Sequence, residues 1–305
     1  MRRPAVLRRP APADEVGRPD VLVMTMVRDE AEMLPRWVRH YAEQVGVKNL
    51  FVLDDGSTDG STDALGCTVH RLPPLPGRGY ERMRMELVSG LARGFLATYD
   101  FVVFVDADEF LLPDPARHED LPSFLARRRQ AEVIAPMTLN VVHVPSVEGP
   151  LRADEPVLGQ RRFAKFTPIM CKPSIKQVPA SWRWASHGIK APYQVDPELY
   201  MLHLKFADRD ALGRVAAHRR ALVDSSGRAL RSNWSRGADD VLAVLDRSVR
   251  NVDPERTPEF SPEEVDLSRI VERREGWYRS VGPGQLSALE RQPLRRVPGS
   301  LLGRI

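Results

Sequence analysis

Three short apolar runs set the pattern of the chain. Val21 to Val27 is followed at once by Arg28-Asp29-Glu30. Asn49 to Leu53 ends in Asp54-Asp55-Gly56, and Phe101 to Val105 ends in Asp106-Ala107-Asp108-Glu109. Runs of this length, rich in branched and aromatic residues, predict strands buried on both faces, as in the middle of a parallel sheet. Between the first two, Ala31, Leu34, Trp37, Val38, Tyr41 and Val45 recur at helical spacing, and Gly46 supplies a stop. Thr68 to Leu72 predicts a short strand and Pro73 to Gly79 a loop. Glu81 to Ala97 predicts a long helix with Met85, Val88, Leu91, Ala92 and Phe95 inward.

The later chain reads less regularly. A short helix is expected over Leu121 to Arg129, and a strand over Val133 to Val144. Pro145 to Gln160 reads as a loop or lid, and Phe163 to Lys176 and Leu199 to Phe206 as further strands. A helix over Asp208 to Leu222 would have Asp208 as N-cap. Beyond Ser225, helical patches alternate with Pro, Gly and Arg, which suggests a helical appendage and a loose end after Val281. The alternation of strand and helix predicts βαβ units and an α/β fold with a mostly parallel central sheet and flanking helices. The expected division is a disordered, basic, proline-rich tail over 1–19, a Rossmann-like α/β domain over 20–215 and a helical C-terminal extension over 216–305.

Composition narrows the function classes only slightly. The 305 residues are 42% hydrophobic and 28% charged, ordinary for a soluble globular protein. Forty-five basic against 41 acidic residues give a net charge of +4. That suits an anionic substrate and is no sign of nucleic-acid binding. Cys67 and Cys171 supply neither a disulfide framework nor a zinc motif, which fits a reducing compartment. Met1 to Arg18 lacks a signal-peptide core, and no stretch reaches membrane-span length. A cytoplasmic protein is expected, with at most peripheral membrane contact through Arg2, Arg3, Arg8 and Arg9.

The acidic strand ends carry the candidate chemistry, because ligands of parallel sheets sit beyond the carboxyl ends of the strands. Asp106 and Asp108 are two residues apart and point to one side in extended chain. Crowded carboxylates repel unless a cation holds them, so Mg²⁺ or Mn²⁺ is the expected guest; a solvated turn is the alternative. Asp54 and Asp55 are placed to accept hydrogen bonds from a nucleotide, though turn formation and helix capping explain the same residues. His203, between apolar residues at a strand end, is a candidate metal ligand or a satisfied core histidine. Lys205, on the same side, and Arg78 or Arg82, at a helix start, could meet phosphate. One of Lys165 and Lys172 could do the same. Trp182, Trp184 and His187 form either a sugar-acceptor platform or buried core.

Val27 to Tyr41, Leu53 to Asp63 and the Val105 to Phe110 motif, taken in order, resemble family 2 type glycosyltransferases of the GT-A fold. The Asp-Ala-Asp-Glu-Phe motif is also similar to family 92 enzymes. The resemblance covers about Val21 to Asp208. It implies that Asp55 or Asp54 contacts the base of a nucleotide-sugar, a UDP-sugar first and a GDP-sugar second, and that Arg28 begins the nucleotide pocket. It implies that Asp106 and Asp108 hold the ribose and a Mn²⁺ or Mg²⁺ ion on the diphosphate, that His203 completes the metal site, and that the sugar passes with inversion to a hydroxyl acceptor. Inversion needs a general base. Glu148, Asp154 and Glu155 are the candidates, with Asp154 and Glu155 favoured. Two other classes compete. A haloacid-dehalogenase-like phosphatase also uses Asp-x-Asp, but Phe110 stands where that motif needs Thr or Val. A non-catalytic sugar-nucleotide binder would also fit.

Overall fold

The computed structural model describes residues 17–73, 75, 77, 79–226 and 237–305. The tail arginines Arg2, Arg3, Arg8 and Arg9, and Arg78, lie outside them. The elements run β1 (Val21–Val27), α1 (Leu34–Val45), β2 (Leu50–Asp54), β3 (Thr68–Arg71), α2 (Tyr80–Phe95), β4 (Phe101–Phe104), β5 (Glu109–Pro113), α3 (Leu121–Ala126), β6 (Val133–Val142), α4 (Val157–Gln160), β7 (Phe163–Phe166), β8 (Ile175–Lys176), β9 (Trp182–Arg183), β10 (Gly188–Ile189), β11 (Gln194–Phe206), α5 (Arg209–Ser226), α6 (Ala238–Ser248), β12 (Val271–Arg274), β13 (Trp277–Ser280), α7 (Gln285–Arg291) and β14 (Arg295–Arg296).

The first half follows the hydrophobic pattern. β3, β2, β1 and β4 pair in parallel, in that order across the sheet, with Val23 opposite Leu50 and Val21 opposite Phe101. Every residue of β1 and β4 is buried. Leu34, Trp37, Val38 and Tyr41 of α1, and Met85, Val88 and Ala92 of α2, belong to the same core. α1 ends where Gly46 takes φ 83°, a backbone turn that glycine adopts without steric cost, and its N–H donates to Ala42 O at 2.9 Å.

Past β4 the sheet becomes mixed. β8 pairs antiparallel with both β4 and β6, β7 pairs antiparallel with β6, and β11 runs parallel to β6. The single strand expected from Phe163 to Lys176 is broken in two, because Pro168 starts a 3₁₀ turn and Pro173 follows it. β5 had no counterpart in the sequence reading. It pairs antiparallel with β11 and sets Glu109 opposite His203, which brings the acidic turn against the histidine. Tyr41 locks β5 in place: its hydroxyl donates to Glu109 O at 3.0 Å and accepts from Leu111 N at 2.8 Å.

The C-terminal expectations need correction. The division at 215/216 falls inside α5, and the segment beyond it contains strands as well as helices. β12 and β13 join β10 and β9 in a four-stranded antiparallel sheet, and β14 pairs with β7 of the main sheet. Nor is the chain loose after Val281. Leu286 and Leu289 of α7 pack with Val241, Val244 and Leu245 of α6 around Val142, Val144, Phe163 and Phe206, while Val297 and Leu301 are buried in the main core. Asp208 does cap α5, accepting from the N–H groups of Asp210 and Ala211 at 2.9 Å each. No helix among the described residues is long and apolar enough to cross a membrane.

Candidate active site

A cleft of about 860 Å³ opens beyond the carboxyl ends of β1 and β4. The strand ends supply its floor: Arg28, Asp29 and Glu30 after β1, and Asp106 to Glu109 between β4 and β5. Arg84 of α2, Lys172, Trp184, His187, His203, Lys205 and Arg219 of α5 complete its walls.

The turn from β4 to β5 is an ion-paired knot. Asp106 N donates to Glu109 Oε2 at 3.0 Å, and Glu109 N donates to Asp106 O at 3.1 Å. Arg84 Nη2 lies 2.5 Å from Asp106 Oδ1. Lys172 Nζ lies 3.4 Å from Asp106 Oδ2 and 2.5 Å from Glu109 Oε1. Lys172 is 1% exposed and Glu109 fully buried, so this charge set exists only because it is internally matched. Burial alone would raise the Asp106 carboxyl; Lys172 and Arg84 outweigh it and hold the group well below the ordinary carboxylate range. Burial raises Glu109 above that range, although Lys172 opposes the shift.

Asp108 faces His203, with Oδ2 3.5 Å from Nε2. Burial would raise this carboxyl too, but His203 and then Arg219 bring it down to about 2. His203 Nδ1 lies 2.6 Å from Asn140 Oδ1, and the Asn140 amide is fixed by donating to Thr167 Oγ1 at 2.8 Å. Gln285 Nε2 lies 3.1 Å from the same Nδ1, so the ring is held from that side while Nε2 is turned toward Asp108, the orientation of a metal-binding histidine. Asp108, Glu109 and His203 each offer a ligand atom within 4.8 Å of the others. Carboxylate oxygen with imidazole nitrogen is a donor set that suits Mn²⁺. The residues present thus fit a divalent cation, with Glu109 in the place expected of Asp106, which Arg84 and Lys172 hold instead.

The rim is acidic and basic in turn. Burial pushes Glu30 up to about 7; Arg219, 3.7 Å away, opposes this, while Asp108, Asp106 and Asp59 add to it. Lys205 donates to Gln285 Oε1 at 3.0 Å, and burial lowers it to about 8. Arg28 donates to Asp55 O at 3.1 Å, and Asp29 accepts from Thr58 N at 2.7 Å, so the loops after β1 and β2 are hydrogen-bonded to each other. His187 Nδ1 lies 2.9 Å from Ile169 O; burial first and Lys172 second lower this ring to about 4.

Other expected site residues are placed differently. Asp54 is 1% exposed; it accepts from Ser57 N at 2.7 Å and Thr62 Oγ1 at 2.8 Å. Asp55 is fully buried and accepts from Leu75 N at 2.9 Å. Neither lines the cleft. Arg82 points to solvent, 81% exposed, beside Glu86. Its expected role passes to Arg84, which shares the helix face of Met85 and Val88; that register was the available signal. Trp182 is core: its Nε1 donates to Pro173 O at 2.7 Å and its ring lies 3.7 Å from Lys176 Nζ. Lys165 donates to Leu289 O at 2.6 Å, so of these two lysines Lys172 is the one in the cleft.

The expected general bases also need correction. Asp154 and Glu155 line a separate cleft of about 460 Å³ with Arg39, His40 and Arg304, and Glu155 pairs with Arg152. Glu148 accepts from Val144 N at 2.9 Å and Arg162 N at 2.8 Å, a structural clamp. The loop expected to reach the cleft is tied back by these bonds. Glu30, Arg84 and Arg219 stand in no motif of their own in the sequence, and Glu109 reads there only as the last acid of its run.

No family model and no curated protein matches the chain at a significant score. Among solved structures it is similar to S. aureus TarS, with 18% identity and a TM-score of 0.33 over 52% of this chain and 28% of that one. It is similar to the mannosyltransferase PcManGT from Pyrobaculum calidifontis in complex with GDP-Man and Mn²⁺, with 21% identity and a TM-score of 0.30 over 44% of this chain and 39% of that one. A third is glucosyl-3-phosphoglycerate synthase from Mycobacterium tuberculosis with Mn²⁺ and UDP-glucose, at 24% identity and a TM-score of 0.27 over 43% of this chain and 49% of that one. The chain thus spans between 28% and 49% of the length of these structures.

Proposed function

We propose that the protein is a metal-dependent GT-A-type glycosyltransferase that moves a sugar from a nucleoside diphosphate to a hydroxyl acceptor. The observation that carries this reading is the β4–β5 turn, where Asp108, Glu109 and His203 converge at the mouth of a cleft rimmed by cations. In it, Asp108, Glu109 and His203 hold Mn²⁺ or Mg²⁺, and Asp106 is oriented by Arg84 and Lys172 toward the donor. The ion, when bound, supplies positive charge to the leaving diphosphate. Lys205, Arg28 and Arg219 add fixed cationic groups around it. Transfer breaks the bond from the anomeric carbon to the diphosphate oxygen, which leaves as the nucleoside diphosphate, and forms one to the acceptor oxygen, whose proton passes to a carboxylate of the cleft or to water, with inversion as the resemblance in sequence implies. The likeness to family 92 rests on the Asp-Ala-Asp-Glu-Phe motif alone. The donors named for the similar structures, UDP-glucose and GDP-mannose, are the first to try. The test is a panel of sugar nucleotides scored for Mn²⁺-dependent release of the nucleoside diphosphate. Turnover of at least one donor, abolished by EDTA, is expected; phosphate release from simple monoesters without a nucleotide would point to a phosphatase.

A further inference from the structure

Beside the cleft, reaching it through Trp184, stands a small sheet with an unusual surface. β9, β10, β13 and β12 form a small antiparallel sheet whose register places Arg183, Gly188, Arg279 and Glu272 in one row across it. Strand alternation puts Trp277 on the same face as Arg279, while Trp182, Ile189 and Tyr278 face inward to the core. Over Gly188 lies the ring of Trp184: a Cβ at position 188 would come within 2.4 Å of it. Trp184 is 39% exposed and lines the same cleft as Asp106 and His203. It is set there by three consecutive residues, Trp184, Ala185 and Ser186, with φ of 53°, 52° and 65°. Three non-glycine residues in the left-handed region are strained, and such strain collects where a side chain must be aimed.

Cations surround the two rings. The Arg183 guanidinium lies 5.0 Å from the Trp184 ring centre and 5.3 Å from that of Trp277. Arg279 is 5.7 Å from Trp184, and Lys190 is 5.2 Å from Trp277. Against these three stands Glu272, 3.5 Å from Arg279; among the described residues neither Arg183 nor Lys190 forms an ion pair. The two indoles, with ring centres 5.6 Å apart and planes tilted by 55°, form an aromatic corner that suits the apolar face of a sugar ring, and the surplus of positive charge suits an anion attached to that ring. The geometry points to a subsite formed by Trp184, Trp277, Arg183 and Arg279 that binds a saccharide acceptor bearing a carboxylate or a phosphate. This assignment rests on the transferase reading above and names its acceptor class. Gly188 is the positioning residue that leaves room for the Trp184 ring.

The test is calorimetry at low ionic strength with named saccharides: trigalacturonate against neutral galactotriose, and glucose 6-phosphate against glucose. At least tenfold tighter binding of one acidic member over its neutral partner is expected, and which acid wins identifies the anion. Equal affinities of acidic and neutral partners would overturn the subsite. Arg279→Gln and Gly188→Ala should each remove most of the preference, with thermal midpoints checked against the parent protein. Arg273→Gln, on the opposite face of β12, should leave it intact; an equal loss there would reduce the effect to net charge and overturn the proposal. UDP and GDP with Mn²⁺ are titrated into the parent protein in parallel. If neither binds while the acidic saccharide is still preferred, the transferase reading fails and the saccharide site stands; the reverse result retires the site alone.

Discussion

Two acidic turns end neighbouring regions of the same sheet, Asp54-Asp55 after β2 and Asp106 to Glu109 after β4, and they solve the same problem in opposite ways. In the first, the carboxylates are met by donors of their own turn and the next loop: Ser57 N and Thr62 Oγ1 for Asp54, and Leu75 N for Asp55. Burial would raise Asp54, but these bonds and then Arg71 hold it below its ordinary range. In the second, the acids are met by side chains brought from far along the chain, Arg84, Lys172 and His203. There burial shifts Glu30 and Glu109 upward, with Asp106 and Asp108 adding to the shift, while cations hold Asp106 and Asp108 themselves low. Acids paired by local backbone build a turn; acids crowded together with distant cations keep an affinity for a further positive charge.

The largest expected effect lies at the second turn. Asp106→Ala should lower Mn²⁺-dependent turnover by about a thousandfold, the order seen when a fixed electrostatic partner of the reacting group is removed. Its folded fraction, followed by circular dichroism, should fall far less. Asp54→Ala should show the converse. It should cost about 2–3 kcal/mol of unfolding free energy in a urea titration, for a buried acceptor with two bonds, while turnover per folded molecule stays within a few fold.

Glu30 sharpens the contrast by its sign. Its folded pKa, about 7, stands above the ordinary glutamate value of 4.5. The stability it contributes is therefore full below 4.5 and is lost as pH rises through 7. Glu30→Gln should consequently stabilise the protein by about 2 kcal/mol at pH 8 and have almost no effect at pH 4.5. Urea titrations at the two pH values check this, and destabilisation at pH 8 would contradict it. Least of all, Arg82→Ala should change stability by less than about 0.5 kcal/mol and leave turnover alone, because its pairing with Glu86 is fully solvated.

Much of this was legible in the sequence, for a definable reason. β1 spans Val21 to Val27 as its apolar run does, and β2 and β4 agree within a residue, because strands buried on both faces announce themselves locally. Asp106, Asp108, His203 and Lys205 do share one cleft. What escaped depends on long-range pairing. β5 exists because β11 pairs with it, β14 because β7 does, and the loop carrying Asp154 and Glu155 is drawn away by contacts with α1, such as Arg36 to Arg152 O at 3.1 Å. Trp182 and Trp184 lie two residues apart in similar company, yet one is core and the other surface. Only the left-handed backbone from Trp184 to Ser186 separates them, and no residue there is a glycine to advertise it.

The most direct measurement is calorimetric titration of UDP and GDP, each with Mn²⁺, into the parent protein, Asp108→Asn and Asp54→Ala. Metal-dependent binding of one nucleotide to the parent, lost with Asp108→Asn and retained per folded molecule with Asp54→Ala, is expected. Undiminished affinity in Asp108→Asn, or equal loss in both variants, would contradict the assignment of the β4–β5 turn as the metal and diphosphate site.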